Sequence, residues 1–226
     1  MSETIASQVP RRPNLKEAVA AHVREQILAG ELRPGSKIDQ DALAESLGVS
    51  KLPVREALLQ MEGEGLVRNI ARRGSFVAEL QPDDVRDHYY IFGLVSGLAA
   101  ERAAERLTDA ELEALEALVA EMDEVADPER QETLNFEFHQ LINRAGGSGR
   151  QLAILRILAS SLPARFYSFA EEWPAKARKH HHEILAALRR RDARAARYAT
   201  VDHLRAGGEV AVEMLQERGF WAGSCP

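Results

Sequence analysis

The stretch that most constrains this chain is Leu43 to Leu58, LAESLGVSKLPVREAL. Gly48 suits the left-handed backbone found just past a helix's last turn, so a first helix ends there. Ser50 can cap the next one. Pro53 then falls in the first turn, where the missing N–H costs nothing because those amides have no intrahelical partner. Val54, Ala57, Leu58 and Met61 follow the i, i+3, i+4, i+7 spacing of a buried face. That turns Leu52, Glu56 and Leu59 outward, puts Arg55 on the flank and leaves Lys51 at the exposed end. Two short helices joined by a tight turn, the second opening on a positive, partly apolar end, make the geometry that lays a recognition helix in the DNA major groove.

The flanking residues fit a small domain around this element. Val19, Val23 and Ile27 recur at helical spacing from Leu15 until Gly30. ELRPGSKI carries a Pro-Gly turn, and Asp39 can cap the short helix holding Leu43, Ala44 and Leu47. After Gly63 and Gly65, Leu66, Val67 and Ile70 lead into a turn from Ala71 to Gly74, followed by Ser75, Phe76 and Val77. This predicts a β-hairpin wing with Arg72 and Arg73 at its tip. Residues 14–80 are expected to form a winged helix-turn-helix domain and residues 1–13 a mobile arm, with the boundary at Gln81-Pro82.

GVSKLPVREAL, EGEGLV and RRGSFVA resemble the winged-helix domain of GntR-type bacterial transcription regulators, over about Leu15 to Ala78. The resemblance implies a homodimer whose two winged helices bind a palindromic operator in double-stranded DNA. Lys51 and Arg55 are the expected major-groove contacts, Ser50 a phosphate donor near the helix start, and Arg72, Arg73 and Gly74 the wing contacts. Leu52 stands where the family carries a small polar residue. It either meets a thymine methyl or is an exposed leucine that reads nothing.

Charge is divided unevenly. The chain has 29 Lys plus Arg against 35 Asp plus Glu, a net of −6, and the first 80 residues are balanced at 11 against 11. The acidic excess therefore lies in the second half, while Arg11, Arg12, Lys51, Arg55, Arg68, Arg72 and Arg73 fall in segments expected to face DNA. No opening apolar run reads as a signal peptide, and no membrane-length apolar stretch follows. Cys225 is alone. A cytoplasmic, reducing location is expected.

Beyond Pro82 the composition shifts to Ala, Leu, Glu and Arg. Six helices are expected, from Asp83 to Arg106, Asp109 to Val125, Pro128 to Arg144, Gly149 to Phe169, Trp173 to Arg190 and Asp192 to Arg218, with Thr108, Asp127 and Asp192 as caps. The fold class is thus mainly α, the winged domain being followed by an all-α antiparallel bundle over residues 82–218. Residues 219–226 read as a frayed C-terminal tail.

Four polar residues of this bundle form a pattern. Asn135 and His139 are one turn apart on one face. His181 shares the inward face of Ile184, Leu185 and Leu188, so His180 and His182 should point away. His203 shares a face with Ala196, Ala199, Thr200, Gly207 and Val210, small residues that leave room for a ligand. If the chain turns at Asp192, residues 181 and 203 are each eleven positions away and meet at one level of an antiparallel pair. Any one of these histidines alone reads as a satisfied core residue. Together they suit a first-row transition metal.

NFEFHQLI, HHEILAALRRRDARAARY and VDHL resemble the FCD effector domain of the FadR branch of the GntR family, and about six helices after the wing resembles its VanR-type subgroup. In that domain three histidines and an Asp or Asn commonly hold a metal. The resemblance carries this to Asn135, His139, His181 and His203, with Zn or Ni as the expected ion and a small organic acid as effector. The family's carboxylate-binding Arg and the Glu four residues later are here Phe92 and Ser96. Arg102, Arg156 and Arg165 are candidate substitutes, each equally readable as a solvated or ion-paired arginine. The alternatives are a metal-free bundle serving mainly dimerisation, or a metal-dependent enzyme fused to a DNA-binding domain. The enzyme reading lacks an HExxH motif, and Glu137 points away from His139.

Overall fold

The computed structural model describes residues 14–160 and 173–221. Its first part contains α1 (Leu15–Leu28), β1 (Lys37–Ile38), α2 (Gln40–Ser46), α3 (Lys51–Gly63), β2 (Val67–Ile70) and β3 (Gly74–Val77). Asp39 caps α2 by accepting from the amides of Asp41 and Ala42. Gly48, at φ 62°, ends the turn that separates α2 from α3. Val54, Ala57, Leu58 and Met61 are all buried, packing with Val19, Val23 and Ile27 of α1. Arg24 of α1 holds the buried carboxylate of Glu64 in a forked pair, closing the layer at the end of α3.

The expected hairpin forms from β2 and β3, and a third strand joins it. The sheet is antiparallel, of order β1-β3-β2, with Ile38 opposite Ser75 and Asn69 opposite Ser75 on the other side. Two residues of β1 are too short to leave a period in the sequence, and they become a strand only because β3 arrives beside them.

The helices that follow are α4 (Pro82–Arg106), α5 (Asp109–Glu124), α6 (Pro128–Gly146), α7 (Gly149–Ser160), α8 (Trp173–Arg189) and α9 (Ala193–Glu217). Thr108, Asp127 and Asp192 accept from the amides of Glu111, Arg130 and Ala195, as their caps. The part of the expected fourth bundle helix beyond residue 160, with Arg165, lies outside the described residues, as do the 1–13 arm and Cys225. α4 is the central helix, and its small residues allow close neighbours. A Cβ on Gly97 would meet Val201 and the Arg197 carbonyl of α9. One on Gly146 of α6 would run onto the Ala99 carbonyl.

The frayed tail is a misreading for its described residues. Phe220 is buried, and with Met214 and Leu215 of α9 it belongs to the winged-helix core. Trp221 Nε1 donates to the Leu80 carbonyl at 2.7 Å. A two-aromatic tail looks solvent-bound in sequence, but here it fills the seam between the domains.

Candidate metal centre and nucleic-acid interface

In the winged domain, Lys51, Leu52, Arg55 and Glu56 are exposed at the start of α3. Ser50 occupies the N-cap position with extended backbone, yet its hydroxyl makes no capping bond, contrary to the sequence expectation. Lys51 Nζ is 2.8 Å from Asp41 of α2, an exposed pair. At the wing tip Arg72 adopts φ 62° and Gly74 φ 103°, the positive values that make the tight reversal. Arg72 and Arg73 are exposed, and the Arg73 guanidinium lies 5.8 Å from the centre of the Phe76 ring.

Inside the bundle, the four residues expected to act together do meet. His139 Nε2 and His203 Nε2 are 3.0 Å apart, and His181 Nε2 donates to Asn135 Oδ1 at 3.0 Å. One ring nitrogen from each of His139, His181 and His203 lies within 4.8 Å of the others. The His181 and His203 rings stand 4.7 Å apart, so the matched register across Asp192 is realised. α6 supplies Asn135 and His139, α8 supplies His181 and α9 supplies His203.

Burial keeps these rings neutral. It pushes His139 down to about 4, and holds His181 and His203 well below the usual 6.5, with the neighbouring imidazoles as a smaller cause. Neutral imidazole is the metal-ligating form. The spacing bears on an ion as well. Nitrogens each about 2.0–2.1 Å from one tetrahedral Zn ion sit roughly 3.3–3.4 Å apart, so the His139–His203 pair at 3.0 Å has to open by a few tenths of an ångström to hold one. Moreover, Nδ1 of His203 is buried without a hydrogen-bond partner. An orphaned polar atom costs about 1–3 kcal/mol, so the cluster is a poor device for stability alone.

Two expectations about the surroundings are corrected. His180 does not point away: its ring is edge-on to His203 with centroids 5.7 Å apart, and its Nδ1 is buried and unpartnered. His182 does turn outward, to Asp123 Oδ2 at 2.9 Å. Nor do the small residues beside His203 leave a vacancy. Rings of Tyr89 and Trp173 lie against the position a Gly207 Cβ would take, and Trp173 lies over His203 with centroids 5.4 Å apart. Reasoning from sequence missed Trp173, although Trp173, Ala177 and His181 share the i, i+4, i+8 spacing of one helix face.

The substitute arginines are not gathered at the cluster. Arg102 donates to Gln151 Oε1 at the α4–α7 seam, Arg156 is exposed on α7, and Arg165 is outside the described residues. Phe92 and Ser96 are both buried on α4.

Comparison with known proteins bears on both ends. Residues 15–77 match the model for bacterial regulatory proteins of the gntR family, and residues 89–206 match that for the FCD domain. The chain belongs to the GntR family, with an FCD domain. It is a DNA-binding transcription regulator rather than an enzyme. This GntR regulator is 32% identical to an HTH-type transcriptional regulator of Streptomyces ambofaciens over 88% of this chain and 86% of that one. It is 26% identical to the HTH-type transcriptional repressor RspR of Escherichia coli K12, covering 96% and 98% of the two chains. Its fold is shared with E. coli McbR/YncC, at TM-score 0.63 and 22% identity over 89% of this chain and 99% of that one. Among the described residues no helix is long and apolar enough to cross a membrane.

Proposed function

We propose that this GntR regulator is a cytoplasmic homodimeric repressor. Its winged domain, residues 14–80, binds a palindromic operator through Ser50, Lys51, Leu52, Arg55, Arg72, Arg73 and Gly74. Its FCD bundle, residues 82–218, holds a divalent transition metal, Zn or Ni, and takes a small organic acid as effector. The observation that carries the metal reading is the convergence of three neutral imidazoles and the Asn135 amide oxygen from three helices. When bound, the metal supplies a Lewis-acidic point for the effector's carboxylate. Repression is supported by the name of the E. coli K12 relative.

Dimerisation is supported by exposed apolar residues on two helices that pack together, Tyr90, Ile91 and Leu94 on α4 and Ile154 and Ile157 on α7. The effector regulates only by binding the two arrangements of the dimer with different affinity.

The test is elemental analysis of untagged protein, wild type beside His181→Ala. About one metal per chain, lost in the variant, is expected. No metal in either, after incubation with Zn or Ni, removes the ion from the reading and leaves hydrogen bonds to bind the effector.

A further inference from the structure

The wing and the recognition helix are tied by a directed chain of four side chains. Gln40 Nε2, at the start of α2, donates to Ser75 Oγ at 2.9 Å. Ser75 Oγ donates to Asn69 Oδ1 at 2.5 Å across the β3–β2 pair. Asn69 Nδ2 then donates to Glu62 Oε2, and the Asn69 backbone N–H to Glu62 Oε1, each at 2.9 Å. Glu62 is on α3, one residue from its end. Each link runs from a donor to an acceptor and the last acceptor is a carboxylate, so the links reinforce one another. Both bonds from Asn69 hold the Glu62 carboxyl below its ordinary value.

The position of this chain gives it a function. At the base of the hairpin Val67 and Val77 are buried in the apolar core, whereas Ala71, Arg72 and Arg73 at the tip are exposed. Between base and tip, the level of Asn69 and Ser75 is where polar bonds reach both α2 and α3. Ser75 is buried there, between β1 and β2. β2 is an edge strand, and its Asn69 amide is answered by α3 instead of a further strand. A domain that touches DNA with a helix start and a wing tip has to hold the two at a fixed spacing, because an error of an ångström at a supporting residue loosens every contact beyond it.

We propose that Gln40, Glu62, Asn69 and Ser75 are positioning residues that set the wing-to-helix spacing and thereby operator affinity, without themselves touching DNA. The inference rests on the proposed DNA face.

The test is a set of titrations of the full chain with a duplex that it has itself selected from a random 30-bp library. Asn69→Ala and Ser75→Ala should each weaken binding by about tenfold, while Ser75→Thr, which keeps the hydroxyl, binds like the wild type. A general loss of folding is separated by a double-mutant cycle. In the Asn69→Ala background Arg73→Ala should cost much less than in the wild type, because the wing is already displaced, while Arg55→Ala keeps its full effect. Wild-type affinity for Asn69→Ala and Ser75→Ala, or an Arg73→Ala loss equal in both backgrounds, overturns the proposal. If Arg55→Ala and Arg73→Ala are both neutral in the wild type, the DNA face itself is wrong and the positioning role falls with it.

Discussion

Truncation of Phe220 tests whether the end of the chain belongs to the DNA-binding domain. The ring is 3% exposed and joins Met214 and Leu215 in a core otherwise built from α1, α2, α3 and the wing. Phe to Ala in such a site costs roughly 3–5 kcal/mol. Phe220 lies past the end of α9 and not within a regular element, so the site can close partly around the lost ring and the low end, about 3 kcal/mol, applies. For a domain of this size that lowers the melting midpoint of the winged-helix transition by roughly 12–24 °C. The measurement is thermal unfolding followed by circular dichroism, with operator affinity recorded well below the transition. Affinity should be nearly retained, because α3 and the wing keep their own packing.

The effector response should shrink, since α9 runs unbroken from His203 into that core, about 16 Å from His203 to Met214. A Phe220→Ala protein that melts with the wild type refutes the placement. It would return residues 219–221 to the frayed tail that the sequence suggests.

Three further outcomes are expected. Arg55→Ala should weaken operator binding by about 1–3 kcal/mol if its guanidinium makes a forked base contact; an unchanged titration removes it from the DNA face. Gly146→Ala should destabilise the bundle by about 3 kcal/mol, because the added Cβ runs onto the Ala99 backbone and α4 cannot yield as a flexible side chain would; a wild-type urea midpoint contradicts the close approach of α4 and α6. In chelator, stability should fall as pH drops from 7 to 5. The three histidines are depressed in the folded state, so the unfolded chain binds more protons below about 6.5, and the loss continues towards the about 4 of His139. A flat urea midpoint over that interval would mean that the rings are not buried neutral.

What the sequence determined by itself was the local and the periodic. Gly48, Asp39, Thr108, Asp127 and Asp192 act within one turn of their own position, so helix ends were readable without knowing the partner elements. The apolar spacing of Val54, Ala57, Leu58 and Met61 determined which side of α3 is buried and which is exposed. Equal distances from Asp192 placed His181 beside His203, because antiparallel helices of constant rise convert sequence separation directly into height.

Tertiary structure alone decided whatever depends on a residue from elsewhere arriving. β1 exists through β3, and the Gln40 to Glu62 chain closes only when four elements assemble. The space beside His203 is taken by Tyr89 and Trp173 from other helices, and His180 reaches His203 across a helix pair. Phe220 is a core residue because α9 carries it back to the first domain. Such contacts leave no period in the chain, since burial belongs to the pair of surfaces that meet and not to either segment alone.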